Sequence, residues 1–246
     1  MPFKEFNIFE KPDKIDQKIW RLIDDKKYAD LLNRHALYFA RSDRLGDKLE
    51  GQKTNPEIIL TEKNRKEWAE RIHLNQQFLE HINKLDSVTD KDLLQHTFVN
   101  CWYMCDQDSR AMWDLFPAKD IAIQSTYLKL SDSIEDPRDI FIGKVVYRDM
   151  NNDINPMDNF FRRLVRKDKK FENENELRAI VTNWVENGKV FKTPLDEGIY
   201  VSVDIELLVE RVFVSPSSSL EFIASTQSTT EKYGLSRKVE RSNINS

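Results

Sequence analysis

The stretch KIWRLIDDKKYADLLNRHALYFARS, Lys18 to Ser42, changes its hydrophobic period twice. KIWRLID reads as a strand. KKYADLLNRH then sets Tyr28, Leu31 and Leu32 on one face of a helix, and ALYFARS returns to strand character. Strand, helix and strand in such short succession open a mixed fold, and its class is decided by whether regular alternation follows.

It does not. A polar loop, DRLGDKLEGQKTNPE, follows, and loops of this length often carry function. From Thr61, read as the N-cap, TEKNRKEWAERIHLNQQFLEHINKL sets Trp68, Ile72, Leu79, Ile82 and Leu85 along one helical stripe. Thr89 caps a short helix, HTFVNCWYMC reads as a buried strand, and SRAMWDLF is a helix stopped by Pro117. IAIQSTYLKL and IFIGKVVYRDM read as two strands of a hairpin across SDSIEDPRD. NPMDNFFRRLVRKDKK is a short basic amphipathic helix, and LRAIVTNWVE a strand. GIYVSVDIELLVERVFVSP gives strand, helical turn and strand, SSLEFIASTQSTTEKYG a Ser-capped helix closed by Gly234, and SRKVERSNI a last strand. The expectation is an α+β fold: one domain over residues 1–246, with a mixed, largely antiparallel sheet and flanking helices, an N-terminal extension over 1–17 and a long loop over 43–60.

The chain has 246 residues, of which 39% are apolar, including 14 Phe and 5 Trp, enough for a sizeable core. Its 42 acidic and 38 basic residues nearly cancel, to a net charge of -4, so global charge points to neither nucleic acid nor membrane. Charges interrupt the N-terminal segment MPFKEFNIFEKPDK, and no apolar window long enough to span a bilayer occurs. Cys101 and Cys105, on one face of a strand, are about 13 Å apart, too far for a disulfide, so a cytoplasmic setting is expected.

Phosphate-cradling glycine loops, zinc spacings and a nucleophile elbow are all missing. His73 and His81, eight apart on one helix, read as surface or boundary residues. Cations crowd FFRRLVRKDKK, where a solvated helix face is favoured over a phosphate-binding one. CWYMC and Trp113 read as core aromatics. Polar residues on strands remain: Arg21, then Ser125 and Thr126, then Glu174 and Glu176, with strand alternation placing the two glutamates on one face. Either they edge a solvated strand or they share a site.

In order, Arg, Ser-Thr and Glu-x-Glu resemble the Arg–Ser–Glu arrangement of ADP-ribosyltransferase-fold enzymes. That resemblance implies NAD as substrate, with Arg21 on a phosphate, Ser125 and Thr126 near the nicotinamide ribose, and Glu176 as catalytic carboxylate beside Glu174. A second resemblance covers Trp20 to Ile244: ALYFARSDRLGDKLEG, VNCWYMCDQDSRAMWDLF, FENENELRAI and VERVFVSP…EKYGLSRKVERSNI are similar, in order and spacing, to a bacterial and phage family known only as a domain of unknown function. Gly46 and Lys48 stand where that family has Asn and Pro, and Leu177 where it has an aromatic. This resemblance implies an accessory protein of phage or phage defence and singles out Asp47, Glu50, Trp113, Glu174, Glu176 and Arg178.

Three function classes follow as expectations. The first is an ADP-ribosyltransferase or NAD glycohydrolase acting on a small-molecule nucleotide or a protein target. The second is a non-catalytic binding or regulatory protein in which a Glu176–Arg178 ion pair fixes the Asp43–Glu57 loop. The third is a metal-dependent nuclease using Asp47, Glu50 and Glu176.

Overall fold

The structure is a computed structural model and describes residues 7–47, 51–73, 77, 80, 90–154, 160–183, 185–186, 189–190 and 197–244. Strand β1 (Lys18–Ile23) leads into helix α1 (Asp25–Arg34), where the Asp24 carboxylate accepts from the Lys27 N–H and Tyr28, Leu31 and Leu32 are buried. The helix ends at His35 in the left-handed region (φ 48°), and β2 (Ala36–Arg41) follows. After helix α2 (Asn55–Arg71) come β3 (Thr97–Met104), helix α3 (Arg110–Leu115), β4 (Ile121–Thr126) and helix α4 (Tyr127–Asp132). Strands β5 (Ile140–Lys144) and β6 (Val146–Arg148) precede helix α5 (Phe160–Leu164), β7 (Arg166–Asp168) and a 3-10 turn over Lys169–Glu174. The remainder is β8 (Glu176–Thr182), β9 (Val185–Glu186), β10 (Lys189–Val190), β11 (Gly198–Ser202), α6 (Ile205–Leu208), β12 (Arg211–Val214), α7 (Leu220–Lys232) and β13 (Val239–Arg241). Among the described residues no helix is long and apolar enough to cross a membrane.

Among the described residues nine strands form one mixed, largely antiparallel sheet in the order β11-β2-β3-β1-β4-β12-β13, with β8 on β3 and β5 on β8; within this sheet only the β12–β13 pair is parallel. The α+β expectation holds. Strand β3 gives one edge wholly to β8, from Thr97↔Thr182 to Tyr103↔Glu176. Its other edge is shared: β2 pairs with Phe98 and Val99, β1 with Tyr103 and Met104. Both β1 and β2 run antiparallel to β3, so they part opposite Asn100, Cys101 and Trp102.

The main core lies on one face of the sheet, where Tyr28 and Leu32, Tyr127 and Leu130, and Ile205 and Leu208 meet Ile19, Phe39, Phe98 and Trp102. A hydrogen bond of 2.8 Å between the Tyr28 and Thr230 hydroxyls ties α1 to α7 beneath it. Two smaller clusters occupy the opposite face, one around Val99, Ile180, Phe9 and Leu164, the other around Trp20, Leu22, Met112, Trp113 and Phe213.

Three expectations are corrected. The helix begins earlier than Thr61: Thr54 is the N-cap and exchanges hydrogen bonds with Glu57 in a capping box, while the Thr61 hydroxyl donates to Glu57 O inside the helix. Trp68 and Ile72 of the expected stripe are exposed, and Leu79, Ile82, Leu85, His81 and Thr89 lie outside the described residues. The IAIQSTYLKL strand stops at Thr126, whose hydroxyl caps α4, and no hairpin joins it to IFIGK, since β4 pairs with β1 and β12 and β5 pairs with β8. The basic helix ends at Leu164, and the cations of the run divide: Arg163 is buried against Asp90 and Arg166, on β7, against Glu57, while Lys169 and Lys170 are exposed as expected.

Candidate active site

Where β1 and β2 part, the edge of β3 is left to side chains. Arg21 Nη1 donates to Cys101 O at 2.8 Å, with the guanidinium 6.0 Å from the Trp102 ring centroid. Asn100 Nδ2 donates to Tyr38 O at 2.9 Å, and Trp102 Nε1 donates to Asn100 Oδ1 at 2.7 Å. Side chains thus satisfy backbone groups that strand pairing would otherwise have used. A cleft of about 640 Å³ opens at this fork, a usual size for a small-ligand site. Val99, Cys101 and Tyr103, on one face of β3, line it together with Leu45, Trp20, Phe116, Tyr38 and Tyr200.

The acidic wall comes from the start of β8. Residues 169–174 are a 3-10 turn and Asn175 is left-handed (φ 36°), so strand alternation does not place Glu174 beside Glu176. The turn does so instead, pinned where Asn175 Nδ2 donates to Met104 O and Met104 N–H donates to Asn175 O. The short β6–β7 pair sets Tyr147 beside Lys167. From there the Tyr147 hydroxyl accepts from Glu176 N–H at 2.9 Å. Lys167 Nζ reaches Glu174 Oε2 at 2.6 Å and Glu176 Oε2 at 3.5 Å. Arg178, fully buried, grips Glu176 with two hydrogen bonds of 3.0 and 2.9 Å and donates a third to Leu164 O.

These contacts set the charges. Burial alone pushes the Glu176 carboxyl up, but the Arg178 charge and hydrogen bonds, then Lys167 and the Cys101 thiol, bring it down to about 2. Desolvation lowers Arg21 to about 10, with Cys101 opposing, so it stays a cation at neutral pH. Lys119 is lowered by its own desolvation, then by the charges of Arg21 and Lys27, with Cys101 and Asp24 opposing. Among the described residues neither Arg21 nor Lys119 forms an ion pair with a carboxylate.

Arg21, Glu174 and Glu176 therefore line one cleft. Arg178 stands behind Glu176. Ser125 does not reach the cleft: it is fully buried, its hydroxyl donating to Leu208 O at 2.6 Å, and the Thr126 hydroxyl accepts from Lys129 N–H at the head of α4. Trp113 is buried in the cluster around Trp20. Asp47 is half-buried beyond Leu45 and Gly46, off the cleft lining that includes Glu176, and Glu50 lies outside the described residues. Among the described residues no group of three or more His, Cys, Asp or Glu is placed to hold a metal ion. The Glu176–Arg178 pair forms, but the loop ahead of α2 is held by Arg166, which bonds Gln52 O and both Glu57 oxygens. Lys119, Lys167 and Cys101 line the cleft without a sequence signal to single them out; Lys167 sits in the run read as a solvated helix face.

Comparison of the chain with protein-family models, with curated proteins and with solved structures gave no match.

Proposed function

We propose that the cleft binds NAD as a substrate and breaks its nicotinamide–ribose bond, as an ADP-ribosyltransferase or NAD glycohydrolase does. One observation carries this reading: a cation from β1, Arg21, and an ionised carboxylate from β8, Glu176, line the same cleft. Nicotinamide leaves with the bonding electrons, and positive charge grows on the ribose. A fixed anion there stabilises the transition state more than the ground state. A carboxyl lowered to about 2 exchanges no proton near neutral pH, so Glu176 acts through its charge and as acceptor for a ribose hydroxyl. Water or a target side chain then takes the ribose carbon. The resemblance to phage and bacterial proteins supports an accessory role in phage or phage defence, in the cytoplasm.

Nicotinamide release by the purified protein tests this. Glu176→Gln should lower kcat/KM by roughly 10²–10³-fold, the usual loss when one electrostatic stabiliser is removed. A folded protein that neither binds nor consumes NAD overturns the reading.

The bidentate grip of Arg178 on Glu176 favours a second reading, a non-catalytic binding or regulatory protein in which Glu176 is a brace. On that reading Glu176→Gln lowers the melting temperature, and ligand binding occurs without turnover.

A further inference from the structure

We infer that the Arg21 end of the cleft is an anion subsite in which Lys119 acts with Arg21 to hold the diphosphate of a nucleotide. The inference rests on the reading of the cleft as a nucleotide site and names the group that binds at this end.

Both side chains line the cleft, and both are half-buried. Arg21 is anchored to Cys101 O, which fixes its guanidinium but supplies no negative charge. The Lys119 ammonium sits 4.7 Å from the centroid of Phe116, another lining residue, and the Lys119 N–H donates to Phe116 O at 3.0 Å. Lys27, the third cation here, is exposed and pairs with Asp24 at 3.5 Å, so its charge is already matched. The Asp24 charge acts on Lys119 more weakly than the repulsion of Arg21 and Lys27. Two desolvated like charges without a partner carboxylate are costly, and sites that keep such charges commonly use them on a ligand. Two positive charges call for two negative ones, which a nucleotide diphosphate supplies and a single carboxylate does not. Tyr103 and Phe116, both half-buried, share the lining and offer faces for the rest of the nucleotide.

Calorimetric titration of ADP-ribose, ADP, adenosine and inorganic pyrophosphate into wild type and Lys119→Met tests the subsite without turnover. Among the described residues Lys119 makes a ring contact and a backbone hydrogen bond and no ion pair, so the variant should fold, with the melting curve as control. ADP-ribose and ADP should bind wild type and weaken about tenfold or more in Lys119→Met, Lys119→Arg should recover most of the loss, and adenosine should bind both proteins equally weakly. Equal ADP-ribose affinity in wild type and Lys119→Met overturns the subsite, as does binding of an oligonucleotide without response to ADP. Pyrophosphate binding as tightly as ADP-ribose overturns the nucleotide assignment. ADP-ribose binding that depends on Lys119 in a protein that leaves NAD intact supports the subsite and removes the enzyme reading. NAD cleavage indifferent to Lys119 does the reverse.

Discussion

Glu176 carries two duties that pull in different directions. As a buried acid held at about 2 it supplies negative charge to the cleft, and as the partner of Arg178 it neutralises a fully buried guanidinium. Replacing Arg178 with Met leaves that carboxylate buried and short of its main partner. The expected cost is about 3–5 kcal/mol, read as a lowered denaturant midpoint. The pH dependence follows from the direction of the shift. The folded value lies below the ordinary 4.5, so the stabilisation is full above about 4.5 and is lost as pH falls toward 2. At about 1.4 kcal/mol per unit this is roughly 3 kcal/mol. Glu176→Gln should flatten the acid limb of the stability curve in that window, and an unchanged limb would show that other carboxylates govern acid unfolding. Legibility at this scale was uneven. Arg21 and Glu176 could be picked out because each sits in a strand-like run, whereas Lys119 lies in a loop between Pro117 and β4 where no periodicity marks one lysine over another. Ser125 fails for a related reason: the register puts it on the same face as Arg21, but α6 covers that stretch, and alternation says which residues share a face, not which part of the face is open.

Helix α2 shows what an element's own residues can and cannot reveal. Thr54-Asn-Pro-Glu57 contains the spacing of a capping box with Pro in the first turn, while Thr61 is followed three positions later by Asn64, so the true start was written in the sequence. The apolar stripe points to Thr61 instead, but Trp68 and Ile72, its described members, are exposed and do not face the core. Thr54→Ala should cost about 1 kcal/mol, and Thr61→Ala no more than about 0.5 kcal/mol, by thermal or urea melting. Glu57→Ala should cost far more than either. It removes both the box and a carboxylate that accepts two hydrogen bonds from Arg166, whose side chain is 4% exposed, and Arg166 enters from β7, more than a hundred residues away. Nothing local could foretell that partner. If Thr61→Ala proves as damaging as Thr54→Ala, the placement of the cap is wrong.

At the scale of the molecule, the strands of the large sheet are legible one by one, while β7 reads as helix and the order of the strands is not legible at all. Burial patterns mark β1, β2, β3 and β8, but the sharing of one β3 edge by β1 and β2 is a matter of long-range pairing that no window of sequence contains. The fork has a mechanical consequence. Strands β1, β4, β12 and β13 form one half of the sheet, and β11, β2, β3, β8 and β5 the other; the ladder between the halves registers only Ile19↔Met104 and Trp20↔Tyr103. The main core runs beneath both, so the halves form one body, yet the cleft draws its walls from each of them. A ligand bound between Arg21 on β1 and Glu176 on β8 therefore bridges the join and adds its binding energy to the folded state. Hydrogen exchange followed by mass spectrometry with ADP-ribose should show slower exchange on both sides of the fork, in peptides covering Arg21–Ile23 and Leu37–Phe39 as well as the start of β8. In Lys119→Met, at the same ligand concentration, the β1 side should lose most of that protection. Protection confined to one half, or to the distant β12–β13 edge, would place the ligand elsewhere and detach the fork from function.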